Sequence, residues 1–179
     1  NSEKGIEQIK SVFGYEGTDA EVLEAYGKML VEEYTKAYES IKTYGGFYIG
    51  RYELTGNIDN PTVRKDGEVI VYQSWYNLYK ACSKVAENEY VQSTMISGNQ
   101  WDELMDWLMD TGAKSEEEIY KDSRKWGNYK DSEGEAAEGS GTRRTAGYNE
   151  AWKANNLYDL AGNANEWTLE TSYGTLRNV

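Results

Sequence analysis

The stretch Asn155–Thr168, NNLYDLAGNANEWT, constrains the fold more than any other part of the chain. Gly162-Asn163 forms a turn dipeptide, and Asp159 and Glu166 place one carboxylate on each side of it. A glycine lets the backbone bend so that its carbonyls point inward. Carbonyl and carboxylate oxygens are the ligands that Ca²⁺ prefers, whereas zinc and copper favour nitrogen and sulfur. The alternative is a loop that satisfies its own backbone through Asx-type hydrogen bonds, and such loops are more common than cation sites.

The same residues resemble a known family signature. NLYDLAGNANEWT is similar to the GLYDMAGNVWEWT-like segments of the formylglycine-generating enzyme (sulfatase-modifying factor) family, whose fold belongs to the C-type-lectin-like group. In that family the turn holds a calcium ion. The resemblance implies a structural Ca²⁺ bound by side-chain oxygens of Asp159 and Glu166 and by the carbonyls of Gly162 and Ala164. Asp159 stands where the family more often has Asn, and Asn165 replaces an aromatic residue.

Two further segments extend the resemblance over most of residues 46–170. GGFYIGRYELT is similar to the opening strand of the family, and QSW begins a segment that matches its next helix. The implied fold is α+β and C-type-lectin-like, with few short strands and much irregular loop. We expect an N-terminal segment over residues 1–45, with a long helix over about 19–44, followed by the family-like domain over 46–179. The resemblance also implies further core strands after Val179, from the rest of the chain or from a partner.

Helical periodicity and capping residues predict the helices. An apolar and tyrosine-rich stripe from Asp19 onward indicates a long helix, capped by Thr18 or Asp19 and ended by Gly45-Gly46. A second helix opens at Gln73-Ser74-Trp75. A third follows a cap at Ser97 or Asn99 and ends at Gly112. Ser115 begins a short capping-box turn.

Alternation and aromatic content predict two strands, at Phe47–Leu54 and Val69–Tyr72. Residues 122–150 are rich in Gly, Ser and charge, which predicts an irregular lobe. Because lectin-like folds meet ligands on irregular surfaces, the aromatic residues in and beside this lobe are candidates for ligand contact. These residues are Trp126, Tyr129, Tyr148 and Trp152. The alternative is that Trp126 and Trp152 only pin the loops to the core.

Composition excludes several kinds of chemistry. The chain has no histidine, which removes Ser-His-Asp hydrolysis, two-histidine iron centres and most zinc catalysis. Its one cysteine, Cys82, forms no internal disulfide, and we expect it to be a buried small hydrophobic residue. The resembled enzymes bind copper through a cysteine pair that follows the turn, so we expect no copper, zinc or iron site in this chain. The net charge of −12 argues against nucleic acid or an anionic membrane as a partner.

These observations favour a non-catalytic ligand-binding module of a bacterial surface, a pilus-like appendage or a phage particle. The resembled fold also scaffolds the variable binding proteins that retroelements diversify. The ligand would be a protein or a glycan, and the location extracellular, on a cell surface or on a virion. No signal peptide or membrane-spanning run is present, and the chain begins at Asn1, as a mature or trimmed fragment would. One alternative is a fragment of a copper-dependent formylglycine-generating oxidase whose cysteine pair lies beyond residue 179. Another is a structural spacer that meets no ligand.

Overall fold

The described residues have a mixed α+β architecture dominated by helices and irregular segments. The computed structural model describes residues 2–86, 88 and 90–169. Within these ranges there are five α-helices and two small antiparallel sheets of two strands each, with no closed barrel. The α-helices are α1 (Ser2–Phe13), α2 (Asp19–Tyr44), α3 (Trp75–Ser83), α4 (Gly98–Asp110) and α5 (Glu116–Tyr120). The strands are β1 (Thr55–Gly56), β2 (Pro61–Thr62), β3 (Lys153–Ala154) and β4 (Leu157–Tyr158).

The chain divides into two compact units, Asn1–Ile49 and Gly50–Val179. This division falls shortly after the expected boundary between residues 45 and 46. Residues 170–179, where the resemblance places the approach to further strands, lie outside the described residues. Across the described part of the chain, no helix combines the length and the apolar character that crossing a bilayer requires.

The first unit is a pair of helices, α1 and α2. The prediction of a long helix is confirmed, since α2 begins after the N-cap Thr18 and ends at Gly45. Thr18 and Glu21 form a capping box, in which each side chain accepts a hydrogen bond from the backbone N–H of the other. Gly45 adopts a left-handed conformation with φ 78°, which a glycine reaches without steric cost. Ile6, Ile9 and Val22 are the buried apolar side chains that hold the pair together.

Three serines begin the helices of the second unit. Ser74, Ser97 and Ser115 each accept a hydrogen bond from the backbone N–H three residues later. Gln100 and Glu118 complete capping boxes with Ser97 and Ser115. The predicted starts of α3, α4 and α5 are therefore confirmed, and for α4 the cap is Ser97 and not Asn99.

The two predicted strands do not form. The prediction of a strand over Phe47–Leu54 is wrong, because the chain bends at Arg51 and Tyr52 and the backbone hydrogen bonds of the segment go to separate partners. The carbonyl of Arg51 accepts from the N–H of Tyr158 at 2.9 Å, and the carbonyl of Leu54 accepts from the N–H of Ile70 at 2.9 Å. The prediction of a strand over Val69–Tyr72 is also wrong. Only an isolated bridge from Val69 to Thr55 forms, and the left-handed φ of 58° at Tyr72 takes the backbone out of the extended region.

Residues 122–150 are largely without regular structure, apart from a short 3₁₀ turn at Gly134–Ala137 and the start of a second at Glu150–Trp152. Two buried tryptophans connect these residues to their surroundings. The Trp126 indole N–H donates to the carbonyl of Glu118 in α5 at 3.2 Å. The Trp152 indole N–H donates to the carbonyl of Ala136 at 2.8 Å. These bonds satisfy the polar atoms of two side chains that are 3% and 0% exposed.

Candidate cation site

The turn that follows β4 is built on left-handed backbone. Asp159, Gly162 and Asn163 have φ values of 61°, 77° and 63°. Aspartate and asparagine tolerate this conformation better than most residues, and glycine adopts it freely. The N–H of Asp159 donates to the carbonyl of Trp152 at 2.9 Å, which fixes the start of the turn on the buried tryptophan. The tight turn here therefore follows from the conformational preferences of its own residues.

Contacts made by the residues before and after the turn hold it against the rest of the second unit. Before it, Tyr158 donates its N–H to the carbonyl of Arg51 and stacks its ring on Tyr52 with centroids 5.1 Å apart. After it, the Trp75 indole N–H donates to the carbonyl of Thr168 at 2.8 Å. The pairing of Arg51 with Tyr158 brings the segment that precedes β1 alongside the turn, and with it the side chain of Glu53.

Asp159 presents a buried carboxylate oxygen that has no hydrogen-bond partner. The residue is 1% exposed. Its Oδ2 accepts a hydrogen bond from the backbone N–H of Gly147 at 2.6 Å, whereas Oδ1 is buried without a donor. Burial raises the pKa of Asp159 to about 6, because the charged form is poorly solvated there. An unpartnered buried carboxylate oxygen is uncommon and unfavourable unless something else supplies positive charge.

Glu53 presents a second oxygen of the same kind. Its Oε2 accepts from the side-chain amide of Asn163 at 2.6 Å, and its Oε1 is buried with no hydrogen-bond partner. Burial, and then the nearby charge of Asp159, raise the pKa of Glu53 to about 8. Hydrogen bonds from the Asn163 side chain and the Ala164 backbone, and then the charge of the Arg143 guanidinium, lower the pKa of Glu53 and offset part of this effect.

Glu166 completes a group of three acidic side chains, which we call the acidic cluster: Glu53, Asp159 and Glu166. Burial raises the pKa of Glu166 well above its usual range, and the charges of Glu53 and Asp159 raise it further. Asp159 therefore disfavours the ionisation of Glu53, and both disfavour the ionisation of Glu166, as like charges do in a poorly hydrated setting. The sequence predicted two of the three members.

Asn163 donates to the acidic cluster, and both polar atoms of its side chain are already hydrogen-bonded within the protein. Its side-chain oxygen accepts from the N–H of Arg144 at 2.8 Å and from the side-chain amide of Asn128 at 2.9 Å. Its nitrogen donates to Glu53 and, at 3.3 Å, to the carbonyl of Arg144. The amide therefore connects the turn, the irregular lobe and the segment before β1.

The donor atoms around the turn are of the type that a hard divalent cation binds. Every available atom is an oxygen, and two buried carboxylate oxygens have no protein donor. The carbonyl of Gly162 accepts from the N–H of Ala164 at 2.8 Å, which uses one of its two lone pairs. Among the described residues, no three His, Cys, Asp or Glu side chains form a ready-made metal centre. A cation here would thus take carboxylates together with the carbonyls of Gly162 and Ala164 and water.

The four aromatic residues expected to meet a ligand occupy different environments. Trp126 and Trp152 are buried, which agrees with the alternative role of pinning the lobe and leaves neither indole face open to a ligand. Tyr148 is 47% exposed, and the guanidinium of Arg144 lies 5.0 Å from its ring centroid. Tyr129 is half-buried, and its phenol oxygen accepts from the hydroxyl of Ser123 at 3.0 Å.

Tyr129 lies between two shallow surface clefts. The larger, about 470 Å³, is lined by charged and polar residues: Lys121, Asp122, Ser123, Arg124 and Asp131. The smaller, about 180 Å³, reaches the turn itself and is lined by Asn128, Lys130, Gly141, Thr142, Arg143 and Asn163. The second cleft includes Asn163, whose side-chain amide donates to Glu53 of the acidic cluster.

Cys82 offers no activated nucleophile. It is half-buried, and burial raises the pKa of its thiol to about 11. At neutral pH the thiol is therefore almost entirely protonated, and a protonated thiol is a poor nucleophile.

No family model, curated protein or solved structure matches this chain. The likeness to the formylglycine-generating enzyme family therefore remains a prediction from the quoted segments.

Proposed function

We propose that this chain is a non-catalytic ligand-binding module whose binding lobe is held in place by a bound calcium ion. The observation that carries the proposal is the orphaned Oδ1 of Asp159, buried beside the carboxylates of Glu53 and Glu166. A bound Ca²⁺ would supply the positive charge that these carboxylates lack. Asp159 and Glu166, with the carbonyls of Gly162 and Ala164, would hold it.

The fold proposed for the module is C-type-lectin-like, of the formylglycine-generating-enzyme type. Its support is the set of quoted segments together with a short-stranded architecture in which irregular segments carry much of the second unit. Because one fold hosts many functions, the function is inferred from the site. An extracellular or surface location suits a calcium site of this kind, because extracellular modules bind Ca²⁺ at about 10⁻⁴–10⁻³ M.

The ligand surface that we propose is the face of the irregular lobe around Tyr129 and Tyr148. Tyr129 borders both clefts, and Tyr148 combines an exposed ring with a neighbouring guanidinium. Tyrosines with flanking polar groups suit glycan or protein ligands, since one side chain offers both apolar area and a hydroxyl. Asn128 and Asn163 connect this face to the turn, so cation binding would stiffen it.

The calcium proposal is tested by thermal unfolding. Protein treated with a chelator should gain several degrees in Tm when millimolar Ca²⁺ is added, because a ligand that binds only the folded state stabilises it. Asp159→Asn and Glu166→Gln should abolish most of this gain. Asp102→Asn, an exposed acid on α4, is the matched control and should respond as the wild type does. An unchanged Tm for the wild type would remove the cation from the proposal.

The binding proposal is tested by a glycan and protein ligand screen, followed by variants of the two tyrosines. Tyr148→Ser should weaken binding by about tenfold or more, because an exposed aromatic ring that contacts a ligand carries much of the contact energy. Tm should fall as well, because the ring also packs against Trp152 with centroids 5.7 Å apart. Tyr129→Phe should act in the same direction if its hydroxyl contacts the ligand. Tyr120→Ser removes a ring that is 62% exposed on α5 and should leave binding unchanged. Binding that survives both lobe variants would place the ligand surface elsewhere.

A further inference from the structure

The helix α2 carries two apolar faces, and α1 packs on one of them. Val22 is buried, and Phe13 of α1 lies against Tyr26 with ring centroids 5.5 Å apart. With 3.6 residues per turn, Val22, Tyr26 and Met29 share this side of α2. The 12 residues of α1 span about 18 Å, and the 26 residues of α2 span about 39 Å, at 1.5 Å per residue. A large part of α2 therefore extends beyond its partner helix.

The second face is an exposed apolar stripe, which we call the α2 stripe. Its large side chains are between 44% and 66% exposed: Leu23, Val31, Tyr34 and Tyr38. Their spacing puts them on one side of the helix, turned by about 110° from the side that faces α1. A contiguous exposed apolar surface of this kind is typical of a contact with another molecule.

Gly27 lies within the α2 stripe, between Leu23 and Val31. A glycine in the middle of a helix makes the helix less stable than an alanine would. In the described part of the chain, no heavy atom outside the adjacent turns of α2 lies within 4 Å of the position that a Cβ atom would occupy at Gly27. Packing within the chain therefore does not require this glycine, and the stripe has an open place for a large side chain from another helix.

The charges of α2 determine which orientation of a second copy fits. Asp19 and Glu21 make the first turn acidic, whereas the last turn carries Lys42. Glu24 and Lys42 lie on the same flank of the stripe, because the 18 residues between them make about five turns. In an antiparallel pair this flank meets the same flank of the other helix, so each Glu24 approaches Lys42 of the other copy. A parallel pair would bring the two acidic first turns together, so complementarity favours the antiparallel pair.

We propose that two copies of this chain associate through their α2 stripes as an antiparallel pair with two-fold symmetry. When the two-fold axis lies midway between Val31 and Tyr34, Val31 is opposite Tyr34 of the other copy. Gly27 is then opposite Tyr38 of the other copy, whose ring fills the open place beside the glycine. One pair of helices buries less than the roughly 800 Å² per partner of a standard interface, so the Kd is on the order of 10–100 µM. This inference does not depend on the calcium site or on the ligand surface.

Sedimentation equilibrium of the full chain tests the proposal. The buffer contains about 0.15 M NaCl to screen the net charge of −12, and a reductant so that Cys82 forms no link between copies. The wild type should change from monomer to dimer between about 1 and 300 µM. Val31→Lys should raise the Kd by at least about tenfold, because two like charges would meet near the two-fold axis. Thr43→Lys makes the same change of charge on the opposite, exposed side of α2 and should dimerise as the wild type does.

Gly27→Lys excludes loss of folding as the cause of weaker association. Lysine favours a helix more than glycine does, so the Tm measured at low protein concentration should equal or exceed that of the wild type. The Kd should nevertheless rise by at least about tenfold, because the new side chain occupies the place of Tyr38 of the other copy. A wild type that stays monomeric over the whole concentration range would overturn the proposal. Wild-type dimerisation of Val31→Lys and Gly27→Lys would also overturn it, since the contact would then lie on another surface.

The orientation is tested by exchanging the two charges. Glu24→Lys and Lys42→Glu should each raise the Kd by about threefold or more, because each substitution places like charges together in both symmetric contacts. The double variant restores both contacts with the signs reversed, and its Kd should return toward that of the wild type. Glu24 already bonds Lys28 of its own helix at 2.7 Å, but both side chains are exposed, so an exchange of partners costs little. A double variant that associates no better than the single variants would overturn the antiparallel arrangement.

Discussion

Asn128 and Asn163 show how much of the second unit depends on two side-chain amides. Asn128 is buried, accepts from the N–H of Gly141 at 3.0 Å and donates to the carbonyl of Thr142 at 2.9 Å. It also donates to the oxygen of Asn163. Neither residue is a cation ligand, but together they hold the lobe against the turn. Amides with fully used hydrogen-bonding groups specify one arrangement, since any shift leaves a polar atom unpaired.

Gly162 provides the first residue-scale prediction, because two separate constraints act on it. Its φ of 77° is left-handed, and a Cβ atom built there would lie 2.5 Å from the backbone oxygen of Asn128. We expect Gly162→Ala to lower the free energy of unfolding by about 2–4 kcal/mol, from backbone strain together with the clash. The measurement is urea unfolding followed by tryptophan fluorescence, which reports on the second unit because it contains all six tryptophans.

Gly112→Ala is the matched control for this prediction. Gly112 also has a left-handed φ, 69°, but no heavy atom lies within 4 Å of the position that a Cβ atom would occupy there. This substitution should therefore cost only the conformational part, about 1 kcal/mol. Equal costs for the two substitutions would show that the close approach of Gly162 to Asn128 does not matter for stability.

At the scale of elements, the helices could be predicted because their signals are local. Ser97 and Gln100, like Ser115 and Glu118, exchange hydrogen bonds across three residues, so the sequence alone contains both partners. The left-handed cap at Gly45 is equally local. For these elements the order of the residues determines both where a helix begins and what satisfies its first N–H groups.

The strands could not be predicted in the same way, because a strand depends on a partner that the sequence does not identify. FYIGRYEL alternates as a strand should, but its neighbours offer single hydrogen bonds from Tyr158 and Ile70 and no continuous edge. Regular strand pairing begins at the next residue, Thr55, which pairs with Thr62 of β2. Alternation therefore predicted a ladder that does not form.

The same difference between local and long-range contacts separates the residues of the candidate site. Asp159 and Glu166 lie within eight residues of each other in the sequence, so the turn and its likeness to a family signature pointed to both. Glu53 was missed because its approach depends on the long-range pairing of Arg51 with Tyr158. The one signal present was an isolated acid in an otherwise aromatic segment. Trp126 and Trp152 carry large apolar area in a polar lobe, and this composition fits a buried role as well as a ligand contact.

For the whole molecule, acidity has opposite consequences at the surface and inside. The net charge of −12 favours solubility and is spread over many exposed acids. Glu150 is one of these, and hydrogen bonds from Lys153, Tyr158 and Lys65 hold its pKa at about 2. The acidic cluster is different, because burial favours its protonated form. The two populations of carboxylates therefore respond oppositely to pH.

Without divalent cations, the protein should become less stable as the pH rises from 5 to 8. The folded-state pKa values of Asp159 and Glu53, about 6 and about 8, lie above those of the unfolded chain. The folded protein therefore binds more protons than the unfolded chain in this range, so the stability present at low pH is lost as the pH passes through the folded pKa values. We expect Tm in chelator to be about 3–8 °C higher at pH 5.5 than at pH 8. Below pH 5 the exposed acids with lowered pKa values would reverse the trend.

The same thermal scans with added Ca²⁺ distinguish this cause from a general effect of charge. Added Ca²⁺ should reduce the fall of Tm with rising pH, because it stabilises the ionised cluster. This effect should appear mainly above pH 6, where the carboxylates ionise. Glu53→Gln in chelator should show a smaller slope than the wild type, because its amide cannot lose a proton, whereas Glu68→Gln should retain the wild-type slope. A Tm in chelator that rises from pH 5.5 to pH 8 would mean that the acidic cluster is ionised and already neutralised by the protein itself.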